Sequence, residues 1–214
     1  MRFFGRFIVI FISLFATSFV FADPIYNFGS VNSTFADNPA TLGFVFTANT
    51  TFNVTSLGWF DGGGAGFQSE HTVAIFDADG NLLTSTTLGT GTGSPLSGSF
   101  RYQAITPVTL DMGAQYTLAG TSGGALDPWT ANDYVSGFVV NPAFTVGADA
   151  GRFFYGPTLV DPDSHFSDYL VYSGPNLEGS AVPEPAGGLL LALGVGMLIA
   201  FARIRSARNQ GKLG

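Results

Sequence analysis

The sequence predicts an all-β protein, an antiparallel β-sandwich with a jelly roll as the preferred version, and three observations predict it. Between residues 23 and 180, short runs rich in Thr, Val, Phe and Tyr are separated by Gly, Asn, Asp and Pro, the pattern of strands and turns. No part of that span carries the 3.6-residue periodicity of an amphipathic helix. Eight or more such runs recur at spacings of about 8–12 residues, as in a two-layered sandwich or jelly roll. The chain has no cysteine, so the core must hold without disulfides; most of its 22 phenylalanines lie in this body and can supply the buried area.

Taken in order, the run Leu42 to Thr47 puts Phe44 and Phe46 on one face. Phe52 and Val54 alternate with polar neighbours; Leu57 and Trp59 then take the opposite parity, which predicts a bulge near Ser56. His71 to Phe76 and Leu82 to Ser85 flank Asp77-Ala78-Asp79-Gly80-Asn81 and read as a hairpin. Phe100 and Tyr102 share a face, Val108 and Leu110 share another, and Tyr116 and Leu118 line up in a further strand. Later runs are Tyr134 to Val140, Arg152 to Tyr155 and Tyr169 to Tyr172. The Gly-rich stretches 61–66 and 89–99 are expected to be mobile surface loops. There is no internal repeat, so residues 23–180 are read as one sandwich domain.

Charge narrows the function classes. From residue 23 to 181 the only basic residues are Arg101 and Arg152 against 14 carboxylates, a formal charge of −12. Such a body repels phosphate backbones and excludes nucleic acid as a partner. The absence of cysteine removes thiolate zinc sites and cysteine nucleophiles.

Both ends read as addresses. The start, MRFFGRFIVIFISLFATSFVFADP, has Arg2 and Arg6 before an apolar core from Phe7 to Val20. It is read as a signal peptide over residues 1–22, cut by signal peptidase between Ala22 and Asp23. The other end carries the apolar segment 186–202, 17 residues long, at the short limit for a membrane-crossing helix. A basic tail, 203–214, follows with Arg203, Arg205 and Arg208, which keeps that end cytoplasmic and the body outside. Pro183 and Pro185 make the approach extended.

Val182-Pro183-Glu184-Pro185, the Leu/Gly-rich span 187–201 and the arginine cluster 203–208 together resemble the PEP-CTERM sorting signal, here assigned to residues 181–214. The tail runs six residues past Arg208, where many such signals stop sooner. The resemblance implies an exosortase in the inner membrane that recognises the motif and removes the apolar tail. It also implies a mature protein at the cell surface or in the extracellular matrix of a bacterium that makes exopolysaccharide. The body, about residues 27–177, is similar to a domain common in PEP-CTERM proteins, itself akin to a β-sandwich family of unknown function often found beside carbohydrate-active modules. "LGFVFTANTTFNVTSLGWFD", "EHTVAIFDADGNLLTSTTL", "FRYQAITPVTLDMGAQYTLAG" and "YSGPNL" carry that likeness.

Several motifs stand against plainer readings. Gly120-Thr121-Ser122-Gly123-Gly124 fits G-x-S-x-G, and His71, Asp111 and Ser122 could be written as a triad, but the strand–turn–helix that a nucleophile elbow needs is missing. It is read as a Gly-rich turn. Asp77 to Asn81 resembles the opening of a calcium loop without its later Glu or flanking helices. A hairpin turn explains all five residues, and calcium held by Asp77 and Asp79 stays open. Glu70-His71 and Asp161-Pro162-Asp163-Ser164-His165 contain both histidines and are weighed as a metal site against ordinary loop chemistry. Trp129, in the loop-like Asp127 to Thr130, is the first candidate for stacking on a sugar ring, with Trp59, Tyr134 and Tyr155 behind it.

The expectation is therefore an exported, non-enzymatic surface or matrix protein without a cofactor. Its partners are signal peptidase, an exosortase and the inner membrane before processing, and its work is adhesion or exopolysaccharide binding. The competing classes are a secreted polysaccharide hydrolase, which would need a facing pair of carboxylates, and a structural subunit that assembles through strand edges.

Overall fold

The structure, a computed structural model, describes residues 22–36, 38–165 and 170–183, with single positions at 194, 196 and 197. The expected signal peptide up to residue 21, Glu184 and Pro185, most of the apolar segment 186–202 and the basic tail with Arg203, Arg205 and Arg208 lie outside the described residues. Among the described residues, no helix is long and apolar enough to cross a membrane.

Alternation of buried aromatic and half-exposed polar residues builds the strands. Among the described residues, eight run five residues or longer: β1 (Ala40–Ala48), β2 (Phe52–Phe60), β3 (His71–Asp77), β4 (Leu82–Leu88), β5 (Phe100–Leu110), β6 (Gln115–Thr121), β7 (Gly151–Tyr155) and β8 (Pro175–Ala181). They form two antiparallel sheets. One has the order Asp23–Pro24, β8, β2, β5, Leu96–Ser97. The other has the order β1, β6, β3, β4, with β7 and Phe144–Thr145 both on the outer flank of β1. Two two-stranded ribbons join the chain's early residues to its later loops, Tyr26–Asn27 with Val139–Val140 and Ser30–Val31 with Val135–Ser136, and a third pairs Thr130–Ala131 with Tyr172–Ser173.

The predicted all-β class and most strands are present. Phe44 and Phe46 both face the core. The parity change in β2 coincides with a register shift between Val54 and Ser56 against β5, as the bulge near Ser56 requires. Phe100/Tyr102 and Val108/Leu110 turn out to be two parts of the single 11-residue strand β5. The same shift sets Val54 opposite Val108 and Ser56 opposite Ala104, four residues of β5 against two of β2, so Phe100, Tyr102, Val108 and Leu110 all turn to the one core. The run Tyr134 to Val140 is broken: a 3₁₀ turn at Asn132–Tyr134 is followed by two short strands.

A jelly roll wraps one long hairpin, so its first strand pairs with its last and its middle hairpin stays in one sheet. Here Asp23–Pro24 pairs with β8, β8 with β2 and β2 with β5, while β1 pairs with β6, β6 with β3 and β3 with β4 as a hairpin. β7 is added outside β1.

One cluster fills the space between the sheets, with Phe44, Phe46, Ile75 and Leu118 from one side meeting Phe52, Leu57, Trp59, Phe100 and Leu177 from the other. Each such side chain contributes about 1.5–3 kcal/mol by leaving water. Trp59 is fully buried and stacks on the His71 ring at 4.8 Å and 9°. Gly120 and Gly174 lie against its indole; a Cβ at either would come within 2.8 Å or 2.4 Å of the ring. This corrects Trp59 as a sugar-stacking candidate, because none of its surface reaches solvent.

Candidate functional site

At the Phe60 end of β2 the chain turns into the Gly-rich stretch 61–66. Arg101 stands opposite Trp59 on the neighbouring strand β5 and is 5% exposed. Its Nε donates to Asp61 Oδ2 at 2.7 Å, its Nη1 to the Ser94 and Thr92 carbonyls at 2.8 and 3.3 Å, and its Nη2 to the Gly64 carbonyl at 2.9 Å. Asp61 Oδ2 also accepts the Gly66 amide at 2.9 Å. One guanidinium thus fastens both Gly-rich stretches, which corrects the expectation of two free loops. Its planar fork suits the task, since no other side chain offers five fixed donors.

The facing wall is Asn32, Ser33 and Thr34. Its backbone is held by the Tyr134 carbonyl, which accepts the Asn32 and Ser33 amides at 2.8 and 3.3 Å, and by Thr130 Oγ1, which donates to the Ser33 carbonyl at 2.8 Å. Behind it Phe35 packs on Trp129 at 4.9 Å and on Tyr134 at 4.7 Å. Between the two walls lies a cleft of about 430 Å³ lined by Val31, Asn32, Ser33, Thr34, Phe60, Gly62, Gly63 and Pro128. Gly62 lies flat on the Phe60 ring, where a Cβ would sit 2.2 Å from Cζ, and Gly63 faces open space. The glycine wall therefore offers bare peptide groups, and the lining carries no ionisable side chain.

The four aromatic candidates separate by burial. Trp129 is 8% exposed, clamped by Phe35 and Tyr172, and supports the cleft from behind rather than presenting a face to a sugar. Tyr134 is half-buried against Phe35. Tyr155 is 63% exposed at the end of β7 and sits beside Phe154 at 41%, which sequence reasoning did not single out.

The hypothetical triad is not assembled. The carboxylate that meets His71 is Asp127, at 3.1 Å from Nε2, and Nδ1 meets the Thr121 carbonyl at 2.8 Å. Asp127 also accepts the Gln68 and Ser69 amides and the Ser69 hydroxyl, the last at 2.7 Å. Ser122 Oγ accepts the Ala40 amide, and the Asp111 amide donates to the Tyr116 hydroxyl oxygen. His71 has no exposed surface, so this is a buried structural network. Burial pulls the His71 pKa below the usual value; the Thr121 bond and the Asp127 charge oppose it without prevailing. Burial also works against ionising Asp127, but the donors from Gln68 and Ser69 overcome it and hold the carboxyl below its usual range.

Asp77 Oδ1 accepts the amides of Asp79 and Asn81, both at 2.9 Å, which closes the β3–β4 turn. These bonds, led by those from Asn81, hold the Asp77 carboxyl below its usual range. Among the described residues no group of three or more His, Cys, Asp or Glu could hold a metal, so neither Asp77 with Asp79 nor the two histidine segments form such a group.

Residues 29–171 match the family described as Domain of unknown function (DUF4082). The chain belongs to that family. No curated protein and no solved structure matches it. The DUF4082 match contains both walls of the cleft, Arg101 and the His71–Asp127 pair. It stops short of β8 and starts after Asp23–Pro24, two strands that pair with each other at Asp23 and Gly179. In this chain the DUF4082 sheet is completed by residues on either side of the match.

Proposed function

We propose that this chain is an exported, non-enzymatic protein of the cell surface or extracellular matrix that binds a neutral, hydroxyl-rich polysaccharide in the cleft between Asn32–Thr34 and Gly62–Gly63. The observation that carries the reading is the lining. Amide and hydroxyl side chains face bare peptide groups beside an aromatic ring, with no ionisable side chain among them. Those are the partners sugar hydroxyls use, and a few such groups in an apolar setting fix orientation. A formal charge of −12 on the body disfavours an acidic polymer. Cleaving a glycosidic bond takes two carboxyls about 5–9.5 Å apart, and the cleft lining supplies none. Arg101 fixes one wall in advance, so little ordering opposes binding.

Trafficking completes the proposal. Signal peptidase cuts between Ala22 and Asp23, the apolar segment 186–202 holds the precursor in the inner membrane, and an exosortase acts at Pro183-Glu184-Pro185. Two observations support this order. Asp23 pairs with Gly179, and the Val182 amide donates to the Thr51 carbonyl at 2.8 Å. Both flanking segments therefore leave the sandwich together, beside the start of β2, while the cleft sits at its end. Nine residues of strand separate them, about 27 Å. A tethered body would hold its cleft away from the bilayer.

Native gels cast with a neutral glucan or mannan test the binding. Mobility should fall for the wild type and recover in Gly63→Trp, which fills the cleft from a position with open space around it. Equal mobility of the two proteins in every gel would remove the polysaccharide reading. Mass spectrometry of protein recovered from the envelope tests the sorting: the mature form should lack Arg203, Arg205 and Arg208.

A further inference from the structure

Residues 80–110 contain no carboxylate and no lysine, and their one ionised side chain, Arg101, is buried on Asp61. All 15 Asp and Glu lie elsewhere in the chain. The fold gathers this neutral stretch on one side of the sandwich, as β4, the segment 89–99 and β5. Here both sheets end. β5 pairs with β2 on one flank and, on the other, with Leu96–Ser97 only at Phe100 and Arg101. β4 pairs with β3 on one flank, and among the described residues no strand pairs with its other flank.

Exposed strand flanks are normally blunted by a charge, a proline or a bulge, because unpaired amides and carbonyls recruit another chain. β5 carries Pro107. β4 reads Leu82-Leu83-Thr84-Ser85-Thr86-Thr87-Leu88, with no charge, proline or glycine. Leu82 is 54% exposed and Leu83 39%, and Leu96 nearby is 45% exposed. A bulge at Leu83, where the register on β3 steps from Ile75–Thr84 to Phe76–Leu82, marks the turn end of β4; from Thr84 to Leu88 the strand is regular, and its threonines suit a pairing strand.

We infer that β4 is a self-association edge: two copies of this chain pair antiparallel through β4 about a two-fold axis at Ser85, joining their β3–β4 sheets into one. Antiparallel pairing about Ser85 sets Thr84 opposite Thr86, and the bulge at Leu83 bounds the paired stretch at each end. The occupant is a second copy because of charge. Elsewhere the body is acidic and two copies repel, whereas residues 80–110 bring no carboxylate of their own to the contact. A partner of either sign finds no complement on it. An isologous contact of this kind closes at two copies and does not propagate into a fibre. The inference is independent of the polysaccharide reading.

The chain lacks cysteine, which makes a clean test. Full-length Ser85→Cys, kept in mild detergent and oxidised, places two thiols at the two-fold axis within disulfide reach. A covalent dimer should become its main species. Thr145→Cys, exposed on the opposite flank of the same sheet, should stay monomeric under the same conditions. Adding Thr87→Lys to Ser85→Cys should abolish the cross-link, with the strand signal in circular dichroism unchanged. Equal cross-linking at both positions, cross-linking at neither, or a dimer that survives the lysine would each overturn the inference.

Discussion

His71 Nε2 lies 3.1 Å from Asp127 Oδ2, inside a cage walled by the Trp59 ring at 4.8 Å and the Phe67 ring at 4.7 Å. Both atoms that the imidazole faces are acceptors, so any proton it carries is used, and the second proton is the one that burial makes costly. The folded pKa of His71 is depressed, as is that of Asp127. In both cases the unfolded chain binds protons more readily, so this pair loses its contribution as pH falls. The loss starts below the ordinary histidine value of about 6.5 and continues below the ordinary aspartate value. Urea unfolding at pH 7.5 and 5.5 should show wild type losing more stability on acidification than His71→Gln, which cannot titrate. Equal slopes for the two proteins would refute the assignment.

Asp127→Asn should be costly at neutral pH. The carboxylate gathers four donors from Gln68, Ser69 and His71, and an amide nitrogen facing them would repel part of that set. Losing charge-assisted bonds at a buried acceptor costs about 2–4 kcal/mol. The urea midpoint should drop accordingly, while Glu70→Gln, on an exposed neighbour, should leave it within error.

Arg101→Lys retains the charge and the reach to Asp61 but gives up the fan of bonds to Thr92, Ser94 and Gly64. The fold should survive. Amide exchange in residues 61–66 and 89–99 should accelerate selectively, and any ligand of the cleft should bind more weakly because one wall is no longer pre-set. Arg101→Met, which strands Asp61 at 8% side-chain exposure, should cost about 3–5 kcal/mol in the urea midpoint.

What was legible in the sequence was local. The Phe44/Phe46 face, the bulge near Ser56 and the turn at Asp77 all follow from spacing or turn chemistry within a few residues. What was illegible depended on distance along the chain. His71 and Asp127 are 56 residues apart, and Arg101 reaches back 40 to Asp61. Nothing in the glycine-rich composition of 61–66 or 89–99 signals that a single arginine ties them down. β8 was missed because it begins with Pro175 and carries Glu178 and Gly179, a composition that argues against a strand. It is nonetheless an inner strand, flanked by Asp23–Pro24 and β2, with Leu177 fully buried. Burial from neighbours outweighed its propensity.

That inner position makes a length prediction. A protein spanning residues 23–183 keeps β8 and the Val182-to-Thr51 bond, and should unfold in one cooperative transition. One ending at residue 174 removes the strand between Asp23–Pro24 and β2, exposes an edge of the core and should be unfolded or aggregated. Size-exclusion profiles and heat capacity traces of the two proteins would decide it.

The Trp59 pocket offers a test of packing itself. Gly174→Ala adds one methyl group at a point 2.4 Å from the indole benzo ring, with no room to spare. Overpacking of this kind costs about 1–3 kcal/mol. Trp59→Phe removes the benzo atoms that the methyl would strike. It also removes the indole N–H, which is buried with no acceptor among the described residues. The single Trp59→Phe change should therefore cost less than the lost ring volume suggests. In the double variant the alanine methyl occupies space the phenylalanine vacates, so its penalty should shrink or reverse. The two changes should be non-additive by more than about 0.5 kcal/mol in the favourable direction. A double-mutant cycle in urea that came out additive would mean that the sheet moves to accommodate the added methyl group and that the close approach of Gly174 to Trp59 is not what fixes the indole against β8.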